Sequence, residues 1–130
     1  MSELIAIGIG CKKGCASDDI VALVMRAVLQ LGTSSADARL FSIEAKRDEV
    51  GLREAARALA LPLQYFSAER LALESSRLLT RSAATRARFG IDSVAEAAAL
   101  AGAGFGSKLV APRLAQNGAT CAIAVGVEAQ

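Results

Sequence analysis

Histidine and tryptophan are absent from the 130 residues, and aromatic side chains make up only 4%. Without histidine, Cys/His zinc sites and Ser–His or Cys–His nucleophile pairs are excluded. Three cysteines (Cys11, Cys15 and Cys121) leave a four-thiolate zinc site one ligand short. No metal and no cofactor is therefore expected. Cys121 lies in an apolar run and reads as a small core residue. With so few rings, the core must be built from Ala, Leu, Ile and Val, which favours small-residue helices packed on a sheet. Long apolar runs are missing too. "IVALVM" (20–25) stops at Arg26, far short of the roughly 20 residues that a spanning helix needs. The opening "LIAIGIGC" imitates a secretory or lipoprotein leader, but it carries Glu3 and no positive flank. It reads as the first buried strand of a cytoplasmic protein. A net charge of +2 is too mild to indicate nucleic acid, and neither nucleic acid nor membrane is expected as a partner.

What is present alternates. Residues 3–9 are apolar and β-rich. A helix follows to Leu31, with Ser17 as N-cap, Asp18 and Asp19 in the first turn, and Gly32 as its stop. "ARLFSIEA" (38–45) is a second strand, 49–60 an amphipathic helix ended by Pro62, and "LPLQYF" (61–66) a third strand. Ser67 caps a further helical turn. Residues 74–90 fit no period and read equally well as a helix or a mobile segment. Ser93 and Glu96 form a capping box ahead of an alanine-rich helix, 93–104. "SKLVAPRL" and "TCAIAV" flank Asn117-Gly118, a type I′ hairpin signal, with Pro112 placing the first of them at an edge or bulge. The expected fold is α/β: one three-layer domain over 1–130, with a mixed, mostly parallel sheet flanked by helices and a C-terminal β-hairpin.

Between the first strand and helix, Gly8, Gly10 and Gly14 give G-x-G-x-x-x-G with Lys12 and Lys13 inside it. The plainer reading is a close packing turn. The lysines, together with free N–H groups at a helix start, favour an anion site at the carboxyl edge of the sheet. Walker A order fails because the lysines precede the last glycine. Glu44 could serve a dinucleotide ribose, but the chain is too short for the full platform, so a nucleotide-binding module is a lesser alternative. Lys46, Asp48 and Glu49 follow the second strand at the same edge and form a candidate second wall. An enzyme built from these residues would use Cys11 or Glu49, and Cys11 beside a helix start and two lysines should have thiolate character. Arg77, Arg81, Arg86 and Arg88 fall in an acid-free stretch and suit an anionic small molecule or a partner's acidic patch.

These residues carry a family resemblance. "GIGCKKG" (8–14) resembles the GIGC-(R/K)-KG signature of the CobE family of cobalamin biosynthesis proteins, which is similar to the C-terminal domain of CbiG. "AKRDEVGL" (45–52), "LPLQYFSAERL" (61–71), "GIDSVAEAAAL" (90–100) and "GATCAIAV" (118–125) resemble further stretches of it in order. Cys15 and the segment 77–88 match no motif of that family. The resemblance implies vitamin B12 synthesis and binding of a precorrin or hydrogenobyrinic-acid-like tetrapyrrole, as carrier or accessory factor, with other pathway enzymes as possible partners. The ligand-binding set on this reading is Gly8, Gly10, Cys11, Lys12, Lys13, Gly14, Lys46, Glu49, Ser93 and Glu96, with the macrocycle's carboxylates meeting the lysines. A lyase or hydrolase acting on the macrocycle's periphery through Cys11 or Glu49 is the alternative.

Overall fold

A computed structural model describes residues 3–33 and 37–127. Six strands form one sheet in the order β3-β2-β1-β6-β4, with β5 also on β6. β1 (Glu3–Cys11), β2 (Arg39–Ile43) and β3 (Leu63–Phe66) are its parallel part, linked by α1 (Ser17–Leu31) and α2 (Val50–Leu59). β6 (Ala119–Val127) lies antiparallel to β1 along its whole length and pairs also with β4 (Lys108–Leu109) and β5 (Leu114–Gln116). The alternating first half thus makes the parallel side of a mixed sheet, and the closing hairpin makes the antiparallel side.

Period-2 burial splits β1 between two cores. Ile7 and Ile9 pack with Ile20, Leu23 and Leu52 under α1 and α2. On the opposite face, α5 (Val94–Ala103) lies against Ala6, Phe41 and Ala122. Every residue of α5 except Gly102 is buried, so it is a core helix rather than an amphipathic one. Its alanines allow a near approach to the sheet. A Cβ at Gly8 would overlap the Ala95 carbonyl, and one at Gly102 would overlap the Phe41 ring. Gly8 lies against Ala95 and Ala99 while Gly10 lies against Val94, so α5 starts at the carboxyl edge of β1. Burying side chains such as Leu100 contributes about 2 kcal/mol each.

Several boundaries differ from the sequence reading. Ser17 does not cap α1; Ala16 holds that place without a side-chain bond, leaving Asp18 and Asp19 to complement the dipole. β2 ends at Ile43, because Glu44–Lys46 turns into a short 3₁₀ segment. α2 ends at Leu59, with Ala60 as its C-cap in the left-handed region (φ 56°), two residues before Pro62. Pro112 divides the expected strand into β4 and β5, while Asn117 (φ 51°) and Gly118 (φ 83°) form the expected turn.

The arginine-rich segment is the largest difference. After α3 (Ala68–Ala72) it holds a 3₁₀ turn, Ser75–Arg77, and then α4 (Ala83–Phe89). Its charges are paired from outside the acid-free stretch. Arg70 and Arg77 bond Glu74 at 2.8 and 2.6 Å, and Arg81 and Arg86 bond Asp92 at 3.2 and 3.0 Å. No helix among the described residues is long and apolar enough to cross a membrane.

Candidate functional site

The loop after β1 is a tight turn closed by its own backbone. The Cys15 N–H donates to the Lys12 carbonyl (3.2 Å), and Gly14 sits at φ +76°, where glycine escapes the Cβ clash. The Lys12 N–H donates to the Gly118 carbonyl at 2.9 Å, tying the loop to the hairpin. The Gly14 N–H donates to Glu49 Oε1 at 2.8 Å. These three loop N–H groups therefore have acceptors within the protein, one of them a carboxylate. Gly51 lies so near the Cys15 carbonyl that a Cβ there would overlap it, which seats the start of α2 beneath the loop.

The loop separates two clefts. One side of it, with Lys13 and Gly14, opens on Asp48, Glu49 and Glu54, a space of about 510 Å³. Its three carboxylates make it hostile to an anion. The other side, with Gly10, Cys11 and Lys12, opens on a cleft of about 230 Å³. Opposite stand Thr85, Arg88 and Phe89 of α4, with Arg113 and Thr120 from the hairpin side and Val94 at the start of α5. Lys12, Arg88 and Arg113 line this cleft, and among the described residues no carboxylate does. The Arg88 guanidinium lies 5.2 Å from the Phe89 ring centroid. Thr120 Oγ1 occupies the space a Cβ at Gly10 would need (2.5 Å), so glycine there admits the hydroxyl against the strand.

The sequence-derived set is thus divided. Gly10, Cys11 and Lys12 share the cationic cleft; Lys13, Gly14 and Glu49 share the acidic one. Gly8 is covered by α5, and Ser93 is buried with its hydroxyl accepting the Glu96 N–H at 3.2 Å. The Glu96 side chain does not complete the capping box. It is 0% exposed and accepts four hydrogen bonds: the Leu79 and Thr80 N–H groups at 2.9 Å, the Thr80 hydroxyl at 2.7 Å and the Arg113 N–H at 2.9 Å. It positions Arg113 and the approach to α4 rather than facing the cleft. Lys46 is 6% exposed and lines neither cleft, with Nζ 5.9 Å from the Phe89 ring centroid.

The thiols are not activated. Burial pushes Cys11 up to about 11, with the Lys46 ammonium only partly offsetting it. Burial likewise raises Cys15, and raises Cys121 to about 12. The expected thiolate character of Cys11 is corrected accordingly: desolvation outweighs the neighbouring charges. Among the described residues no group of three His, Cys, Asp or Glu is arranged to hold a metal.

Sequence reasoning missed Arg113, Thr120 and Phe89 as cleft residues. It had Arg88 only as one of an arginine cluster. Three of that cluster's four arginines are paired with acids, and Arg88 alone lines the cationic cleft.

The family model described as cobalamin synthesis G C-terminus matches residues 5–124. The chain is 34% identical over 121 residues to "Protein CobE" of Sinorhizobium sp, covering 92% of this chain and 79% of that one. Its fold matches the crystal structure of CobE, a protein from the cobalamin (vitamin B12) biosynthetic pathway, with a TM-score of 0.90, 35% identity and coverage of 100% and 95% of the two chains. It also matches the cobalamin biosynthesis protein chiG of Agrobacterium tumefaciens, with a TM-score of 0.74, 40% identity and coverage of 96% and 100%.

Proposed function

The chain belongs to the cobalamin synthesis G C-terminus family, and from that premise we propose that it binds a corrin precursor by its carboxylate arms in the cleft between Gly10, Lys12, Arg88 and Arg113. The observation that carries this reading is the lining itself: among the described residues, three cations, two hydroxyls and no acid. Corrin precursors are flat apolar rings edged with acetate and propionate groups. Guanidinium groups pair with such carboxylates in bidentate fashion, and the Lys12 ammonium adds a point charge.

At about 230 Å³ the cleft is smaller than the roughly 300–1,000 Å³ usual for drug-sized ligands, so it takes one edge of the ring and leaves the rest outside. That geometry suits a cytoplasmic carrier or accessory factor, from which another enzyme of the pathway can take the exposed edge. The enzymatic alternative draws less support. Cys11 is a protonated thiol at neutral pH, and Glu49 is bonded to the Gly14 N–H in the other cleft. Titration of the protein with hydrogenobyrinic acid, followed by visible absorbance, tests the reading. A saturable shift with micromolar affinity that weakens with added salt supports it; an unchanged spectrum and an unchanged melting temperature contradict it.

A further inference from the structure

The two walls of the cationic cleft are held differently. Lys12 and Arg113 stand on backbone tied into the fold, through the Gly118 carbonyl and the Glu96 carboxylate, and Val94 and Thr120 belong to α5 and β6. The facing wall is α4, which gives the cleft Ala84, Thr85, Arg88 and Phe89 from one helical face. No residue of α4 is buried; Thr85 and Phe89 are half-buried, and Phe89 rests against the core that α5 occupies. The ends of the segment are fixed: Glu96 holds the Leu79 and Thr80 N–H groups, while Ile91 and Asp92 are buried. Between these ends, among the described residues, every hydrogen bond that leaves residues 81–90 ends on the Asp92 carboxylate, with Arg81 and Arg86 as its side-chain donors. Both arginines are exposed, and an ion pair to a solvent-exposed arginine is weak. Gly90 (φ 81°) ends α4 in open space, at an element terminus of the kind that absorbs a hinge rotation.

We propose that α4 is a lid on the cationic cleft, latched by Asp92 and hinged at Arg81 and Gly90. The proposal rests on the binding reading above. With α4 in place the cleft, at about 230 Å³, takes no more than one edge of a corrin precursor. Swinging α4 outward breaks two exposed ion pairs and lifts Phe89 from its seat, but leaves the wall that carries Lys12 and Arg113 where it is. An entering carboxylate arm meets those two cations first. Closure then brings Arg88 to the carboxylates and Phe89 to the apolar ring. Arg81, Arg86 and Asp92 do not line the cleft, so the latch is made with or without a ligand. Loosening it therefore speeds entry and exit together and changes affinity little.

The test is stopped-flow binding of hydrogenobyrinic acid to the intact wild-type chain, to Arg86→Gln and to Arg57→Gln, which removes an exposed arginine of α2 away from the cleft. Removing a cation by itself slows the association of an anion, so Arg57→Gln is expected to match wild type or fall slightly below it. Arg86→Gln is expected to raise the association and dissociation rate constants together, each about fivefold or more, with their ratio within about threefold of wild type. Amide exchange in the free protein locates the change: residues 83–89 should exchange about fivefold or more faster in Arg86→Gln, with α5 unaltered. Arg81→Gln loosens the same latch and replaces Arg86→Gln if the latter does not fold. Rate constants in Arg86→Gln no higher than those of Arg57→Gln, or a rise in dissociation alone, overturn the lid while leaving the binding reading intact. Binding by none of the three chains overturns both.

Discussion

The carboxylate of Glu49 accepts the Gly14 backbone N–H at 2.8 Å, so an acid from the loop after β2 occupies a donor that the loop after β1 would otherwise turn toward a ligand. This contact latches the two loops and directs any anion to the other side, where Lys12, Arg88 and Arg113 meet. Glu49→Ala should release the latch, whereas Glu49→Gln keeps an acceptor oxygen. Amide exchange at Gly14 is expected to quicken about fivefold in the alanine variant, corresponding to ~1 kcal/mol, and to change little in the glutamine variant. Equal exchange in both variants would show that the bond does not hold the loop.

Glu96 is expected to matter for stability far more than a helix cap does. Removing its side chain orphans the Leu79, Thr80 and Arg113 N–H groups inside the protein. Glu96→Ala should cost about 3 kcal/mol or more, a fall in melting temperature of about 10 °C, with Glu96→Gln intermediate. A loss as small as the ~1 kcal/mol of an ordinary cap, read by thermal unfolding, would contradict this role.

Acid should weaken the Glu74 cluster in a defined direction. Burial by itself would raise this carboxyl, but hydrogen bonds from Arg70 and Arg77 hold it below the usual range. A depressed carboxylate contributes stability that is present above its unfolded value and is lost as pH falls through its folded one. Urea midpoints of wild type and Glu74→Gln should therefore differ at pH 7 and converge below about pH 4. A gap that stays constant down to pH 3 would speak against the pairing.

Cys11 is expected to be a slow nucleophile. With its thiol pushed up to about 11, alkylation by iodoacetamide at pH 8 should run about two orders of magnitude slower than for free cysteine. Cys11→Ala should leave ligand affinity within about twofold. Rapid alkylation, or loss of turnover in that variant, would restore the enzymatic alternative.

The alternation of strands and helices, the Asn117-Gly118 turn and the Ser93 cap were legible because each depends on neighbours a few residues apart. The cleft was not. Arg81, just before α4, and Arg86, within it, find their acid in Asp92 beyond that helix, so an acid-free window says nothing of their pairing. Gly8 and Gly10, read as room for a ligand, make room instead for Ala95 and for the Thr120 hydroxyl. Glu96 stands at capping-box spacing, yet its carboxylate bonds Leu79, Thr80 and Arg113, 16 or 17 residues away along the chain. Lys12 and Arg113 line one cleft, but Arg113 comes from a hairpin that no local pattern joins to the glycine loop.

The central claim is that the cationic cleft, not the glycine loop as a whole, is where a corrin precursor's carboxylates are held. Titrating hydrogenobyrinic acid into wild type, Lys13→Ala and the triple variant Lys12→Ala/Arg88→Ala/Arg113→Ala tests it directly. The account predicts a dissociation constant raised about 30-fold or more in the triple variant, with Lys13→Ala close to wild type. Unaltered affinity in the triple variant, or equal loss in Lys13→Ala, would contradict it.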